Sequence, residues 1–169
     1  MWPFKSRTSS ADEMGEELAD LLRQPTIDLF FRDFKSRRQT ELGAGESKLV
    51  LSELMNLRLA VLNNTLFAHF RTDTSMAERA YAPIASVAIS VGNELDLSPG
   101  WLSINPYIVL VKNAKSPEEW IGILGVEFSA RLSKTIENLD SRSVQGCVTK
   151  DVSSVLTILH DRLKRKGLK

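Results

Sequence analysis

The chain has 169 residues, 43% of them hydrophobic and 25% charged, which is the balance of one ordinary globular domain rather than a fibrous or disordered chain. Twenty-two Lys and Arg face 21 Asp and Glu, so a uniformly basic nucleic-acid binder is excluded while a local basic patch is not. A single cysteine, Cys147, excludes an internal disulfide and a cysteine-based zinc site.

Residues 1–9, with Trp2, Phe4, Lys5 and Arg7, read as a flexible tail that is both basic and aromatic. No apolar stretch follows it, so it does not read as a secretory signal. No segment reaches the roughly 18 apolar residues of a membrane span, and the expected location is cytoplasmic. The aromatics suit weak contact with a membrane surface or insertion into a partner's groove.

The predicted domain runs over 10–166, with 167–169 as a short C-terminal tail. Ser10 to Glu13 reads as a capping box that opens the first helix, with Leu18, Leu21 and Leu22 on one face and Pro25 at its end. Ile27, Phe30, Phe31 and Phe34 then recur at helical spacing, with Lys35, Arg37 and Arg38 towards the C-terminus, where cations suit the helix dipole. Gly43-Ala44-Gly45 reads as a break.

From Glu46 to about Phe70 the apolar surface is broad: Leu51, Met55, Leu62 and Leu66 form a stripe that Leu54, Leu57, Leu59 and Val61 widen. Such a helix belongs at the centre of a bundle. Thr74 or Ser75 then reads as the cap of the next helix, with Glu78 completing a capping box if Ser75 is the cap. The small residues Ala77, Ala80, Ala82, Ala85, Ala88 and Gly92 predict close packing of the helix that follows, with Pro83 kinking it or starting a second piece.

Asn105-Pro106 reads as a helix start, yet Tyr107 to Val111 has strand composition, as does Ile84 to Val91. The region 84–111 therefore leaves room for a small two-stranded pairing. Ser116-Pro117-Glu118-Glu119 is a clear helix start, and an apolar stripe continues from Trp120 to Leu139. Ser141 to Gly146 reads as a polar connector. The last helix is expected from Thr149 or Lys150, with Val152, Val155, Leu156, Leu159 and Leu163 inward and Arg162, Lys164, Arg165 and Lys166 closing it. The sum is an all-α, compact bundle of about six helices.

Chemistry-bearing patterns are sparse. His69 and His160 have no metal-ligand spacing, and the expectation is a surface or capping role for both, with no metal and no cofactor. Cys147 lies near a predicted helix start, where a thiol's pKa falls, but no motif marks it as a nucleophile. Glu127 sits between Val126 and Phe128, an apolar setting that suits a proton donor or acceptor of raised pKa, but Arg131, four residues on, favours a surface ion pair. Gly122-Ile123-Leu124-Gly125 reads as helix packing rather than a phosphate cradle.

The leading expectation is a non-catalytic helical interaction module, an adaptor, regulator or assembly component. It binds a protein partner or itself through apolar helix faces, with Trp2, Phe4, Ile27, Phe30, Phe31 and Phe34 as the partner-binding residues. The alternative is a binder of nucleic acid or an anionic membrane surface through Lys35, Arg37, Arg38, Arg162, Lys164, Arg165 and Lys166. A small helical enzyme with a site between helices, near Glu127 or His69, ranks last.

Overall fold

The computed structural model describes residues 7–37 and 41–165, without the side chains of 7–10 and Pro117. Trp2, Phe4, Lys5, Arg38 and Lys166 lie outside the described residues or side chains. Within them the chain forms α1 (Arg7–Ala19), a short 3-10 turn (Asp20–Leu22), α2 (Gln24–Ser36), α3 (Ala44–His69), α4 (Thr74–Glu94), α5 (Asn105–Asn113), α6 (Pro117–Ser133) and α7 (Ser141–Arg165). No strand occurs among the described residues. Both segments of the expected two-stranded element are helical, Ile84 to Val91 in α4 and Tyr107 to Val111 in α5.

The centre is α3. Val50, Leu51 and the unbroken run from Glu53 to Leu62 are buried, which only a helix surrounded by neighbours can do. Helices α4, α5, α6 and α7 and the 3-10 turn all pack on it. Its start is set by Glu46, whose carboxylate accepts from the Gly43 N–H at 3.0 Å. Ala44 and Gly45 are therefore the first turn of α3 and not part of the break.

Helix α1 lies close against α4. Ala11, Met14, Gly15 and Leu18, spaced as one helical face, meet Ala77, Ala80 and Ile84. A Cβ on Gly15 would overlap the Ala80 carbonyl oxygen, so glycine sets the closeness of the two backbones. The small residues of α4 thus do pack tightly, but on one face only, since Ala82 is exposed. Pro83 lies inside α4, which runs unbroken from Thr74 to Glu94.

Several boundaries differ from expectation, each for a local reason. Ser10 falls within α1, which begins at Arg7. Pro25 occupies the first turn of α2 instead of ending α1, because a proline's missing N–H costs nothing there. Asp73, and neither Thr74 nor Ser75, caps α4 by accepting from the Met76 N–H at 3.2 Å. Helix α6 stops at Ser133, and Asn138 turns the chain with a φ of 55°. Asp140 then caps α7: its carboxylate accepts from the Arg142 N–H at 3.1 Å and the Ser143 hydroxyl at 2.6 Å. The expected connector, Ser141 to Gly146, is the first part of α7, and Val144 is buried with Cys147 and Val148 on its inner face.

Candidate functional site

The central helix buries Glu53, Asn56 and Arg58, each bonded within the chain, and Thr65, whose hydroxyl has no partner among the described residues. Glu53 accepts through Oε2 from the Tyr107 hydroxyl of α5 at 2.6 Å and from Arg131 Nε of α6 at 2.8 Å. Asn56 grips the loop before α5, donating to the Trp101 carbonyl at 2.7 Å and accepting from the Ser103 N–H at 2.8 Å. Arg58 donates to both carboxylate oxygens of Asp151 on α7, at 2.6 and 3.1 Å. It also donates to the Leu21 carbonyl, the Thr26 hydroxyl and the Thr26 carbonyl. One guanidinium thus ties the 3-10 turn, the start of α2 and α7 to α3.

Above the Arg58–Asp151 pair, α2 and α7 leave a groove of about 500 Å³. Leu29 of α2 and Ile158 of α7 line it and stand 59% and 40% exposed. Leu21, Phe30 and Val155 complete the apolar walls. The polar lining groups are bonded locally. The Thr26 hydroxyl donates to the Leu21 carbonyl, the Ser36 hydroxyl to the Asp33 carbonyl and the Ser154 hydroxyl to the Lys150 carbonyl. Asp33 faces Arg37 at 3.3 Å and Lys150 at 3.7 Å. Burial pushes its carboxyl up, but the bonds from Arg37 and the Cys147 thiol, with the charges of Arg37 and Lys150, outweigh that and hold it below the usual value.

The expected chemical residues fall in different places. Cys147 is buried in the second turn of α7 and not at its start. Burial, then the charge of Asp33, pushes its thiol up to about 12, the opposite of activation. Glu127 does pair with Arg131, at 3.8 Å, but Arg131 bonds more closely to the buried Glu53, an acid the sequence reading passed over. His69 is half-buried rather than on the surface, its Nε2 enclosed and without a hydrogen-bond partner among the described residues. His160 is exposed. Among the described residues no cluster of His, Cys, Asp and Glu is suited to hold a metal ion, and no helix is long and apolar enough to cross a membrane.

Of the expected partner-binding face on α2, Ile27, Phe30 and Phe34 are buried in the core and Phe31 is half-buried against it. Phe30 packs edge-on against Phe128 of α6 at 6.0 Å. Leu29, which the sequence reading did not single out, is the exposed large apolar residue of α2.

The two basic clusters are not brought together. Arg37 lies against Gly146, near the start of α7, while Arg162 pairs with Glu17 of α1 at 3.1 Å near its end. The rise of α7 between Gly146 and Arg162 is about 24 Å. Arg165 pairs with Asp161 at 3.0 Å, and Lys35 and Lys164 are exposed.

A second, shallower hollow of about 470 Å³ lies between α5 and α6. Leu110, Gly122, Ile123 and Val126 line it together with Glu118, Glu119 and Glu127. Val126 and the nearby Val109 are 56% and 57% exposed. Gly122 opens onto this hollow, whereas Gly125 packs on Gln145 of α7, so one of the two glycines serves helix packing.

No protein-family model, curated protein or solved structure matches the chain, so function is argued from this geometry alone.

Proposed function

We propose that the protein is a non-catalytic helical interaction module whose docking surface is the α2–α7 groove. Its ligand is an amphipathic helix of a protein partner, with apolar anchors and acidic flanks. The observation that carries this reading is the pair Leu29 and Ile158, both exposed, on the walls of a groove most of whose polar groups are already bonded within the chain. A polar substrate finds few free partners there, while an apolar side chain finds a wall on either side. Burying one Leu-sized side chain contributes about 1.5–3 kcal/mol.

The groove's length supports a helical ligand. From Thr26 to Ser36, α2 rises about 15 Å, or nearly three turns, which accommodates anchors at i, i+4 and i+7. Its charge supports acidic flanks, since Arg32, Arg58 and Lys150 line it against Asp33 and Asp151.

The test is fluorescence anisotropy with a labelled helical peptide that carries leucines at i, i+4 and i+7 and glutamates between them. Saturable binding that Leu29→Asp weakens at least tenfold, a loss of about 1.4 kcal/mol, is expected. A peptide with lysine in place of glutamate binds more weakly. Equal binding to the wild type and Leu29→Asp overturns the reading.

A further inference from the structure

The α5–α6 face has the features that the α2–α7 groove would recognise. It presents Val126, more than half exposed, beside Glu118, Glu119 and Glu127, with the equally exposed Val109 next in the chain to the lining residue Leu110. Lys112, exposed at the end of α5, and Arg131, paired with Glu127, leave this face one negative charge in excess. The groove presents Leu29 and Ile158 beside Arg32, while its other charges pair off, Arg58 with Asp151 and Lys150 with Asp33, and leave it one positive charge in excess. Each face therefore carries exposed apolar residues and an excess charge opposite to the other's. Such a match favours encounter in one orientation and disfavours each face pairing with itself.

The two faces belong to different parts of the surface. They share no lining residue, and the packed seam of α6 against α7 lies between them. One molecule cannot satisfy its own groove with its own α6.

We infer that the α2–α7 groove takes the acidic α5–α6 face of a second copy of this chain, in a head-to-tail contact that repeats along a growing assembly. This rests on the docking reading of the groove. The contact is heterologous: each copy contributes a different surface and keeps one of each kind free at the two ends of the chain. Its polar rim is exposed, so the association weakens as salt rises.

Sedimentation velocity on the full chain tests it. The wild type should form species that lengthen from micromolar to near-millimolar concentration. Leu29→Asp spoils the groove and Val126→Lys spoils the acidic face, and each variant alone should stay monomeric. Mixed in equal amounts they should form a dimer that grows no further, because each still carries the face that the other has lost. The exposure of both positions keeps the fold intact, which an unchanged circular dichroism spectrum and Tm confirm. Ile158→Asp with Val109→Lys serves as an independent pair and should behave alike.

A wild type that remains monomeric throughout overturns self-docking. So does a mixture that remains monomeric, or either single variant that still lengthens. An association that Leu29→Asp abolishes and Val126→Lys leaves untouched means groove-to-groove pairing and overturns it as well. If the wild type is monomeric but still binds the acidic peptide in a Leu29-dependent way, only the second copy is excluded as the ligand and the groove remains a docking surface.

Discussion

Arg58 of α3 and Asp151 of α7 form a two-pronged ion pair at the floor of the α2–α7 groove, with both side chains less than a tenth exposed. The pair does more than neutralise charge, because the same guanidinium satisfies the Leu21 and Thr26 carbonyls at the entry to α2. Removing one partner leaves a buried charge and several unpaired oxygens. Arg58→Met should therefore cost about 3–5 kcal/mol in denaturant unfolding. Replacing both partners by apolar residues should recover part of that loss. A cost below about 1 kcal/mol for Arg58→Met, the range of an exposed surface pair, contradicts the assignment.

The Glu53 cluster allows a sharper comparison between acids. Tyr107→Phe removes one donor from a buried carboxylate that keeps Arg131, and should cost about 1–3 kcal/mol. Arg131→Leu should cost more, since Glu53 then loses its counter-charge. Glu127→Gln, at the partly exposed and longer contact, should stay within about 0.5 kcal/mol of the wild type. Equal losses for Glu127→Gln and Arg131→Leu contradict this order.

Two glycines should respond with opposite signs. Gly15→Ala drives a methyl into the Ala80 carbonyl and forces α1 away from α4, which should cost about 1–3 kcal/mol. Gly122→Ala meets no atom within 4 Å inside a helix and should add about 0.5–1 kcal/mol of stability. Thermal unfolding of the two variants side by side reads both signs.

The Cys147 thiol should be inert to alkylation in the folded protein at neutral pH and react at the rate of global unfolding. Its folded pKa, about 12, lies above the ordinary 9.0, so folding favours the protonated thiol. The stability this contributes is complete below pH 9.0 and is lost as pH rises towards about 12. Across that window the wild type should lose more stability than Cys147→Ala. Rapid modification of the native thiol contradicts the burial.

Much of the bundle is legible in the residues, and the exceptions have identifiable causes. Ser116 does cap α6, accepting from the Glu119 N–H at 3.2 Å, and the breadth of the apolar surface on α3 does mean a central helix. Tyr107 to Val111 carries strand-like side chains, but Tyr107 and Val111 sit four apart and both face inward, which is a helical period. The start of α7 was hidden because Ser, Arg, Gln and Gly outnumber Val144 there. The groove was hidden for a different reason. Its walls come from residues far apart in the chain, and the apolar residue that matters on α2, Leu29, lies off the face that its phenylalanines mark. The signal within reach was the polar trio Glu53, Asn56 and Arg58: a helix apolar on every side must bury its polar residues, and buried polar residues name their neighbours.

The most direct test of the account follows methyl resonances of the intact protein by NMR while the acidic leucine peptide is added. At a concentration where the chain is monomeric, progressive, saturable shifts are expected at Leu29, Ile158 and Val155, with little change at Val109 and Val126, where the peptide's charge is unwelcome. Shifts centred on α5–α6, or an unchanged spectrum at Leu29 and Ile158, contradict the α2–α7 groove as the docking surface.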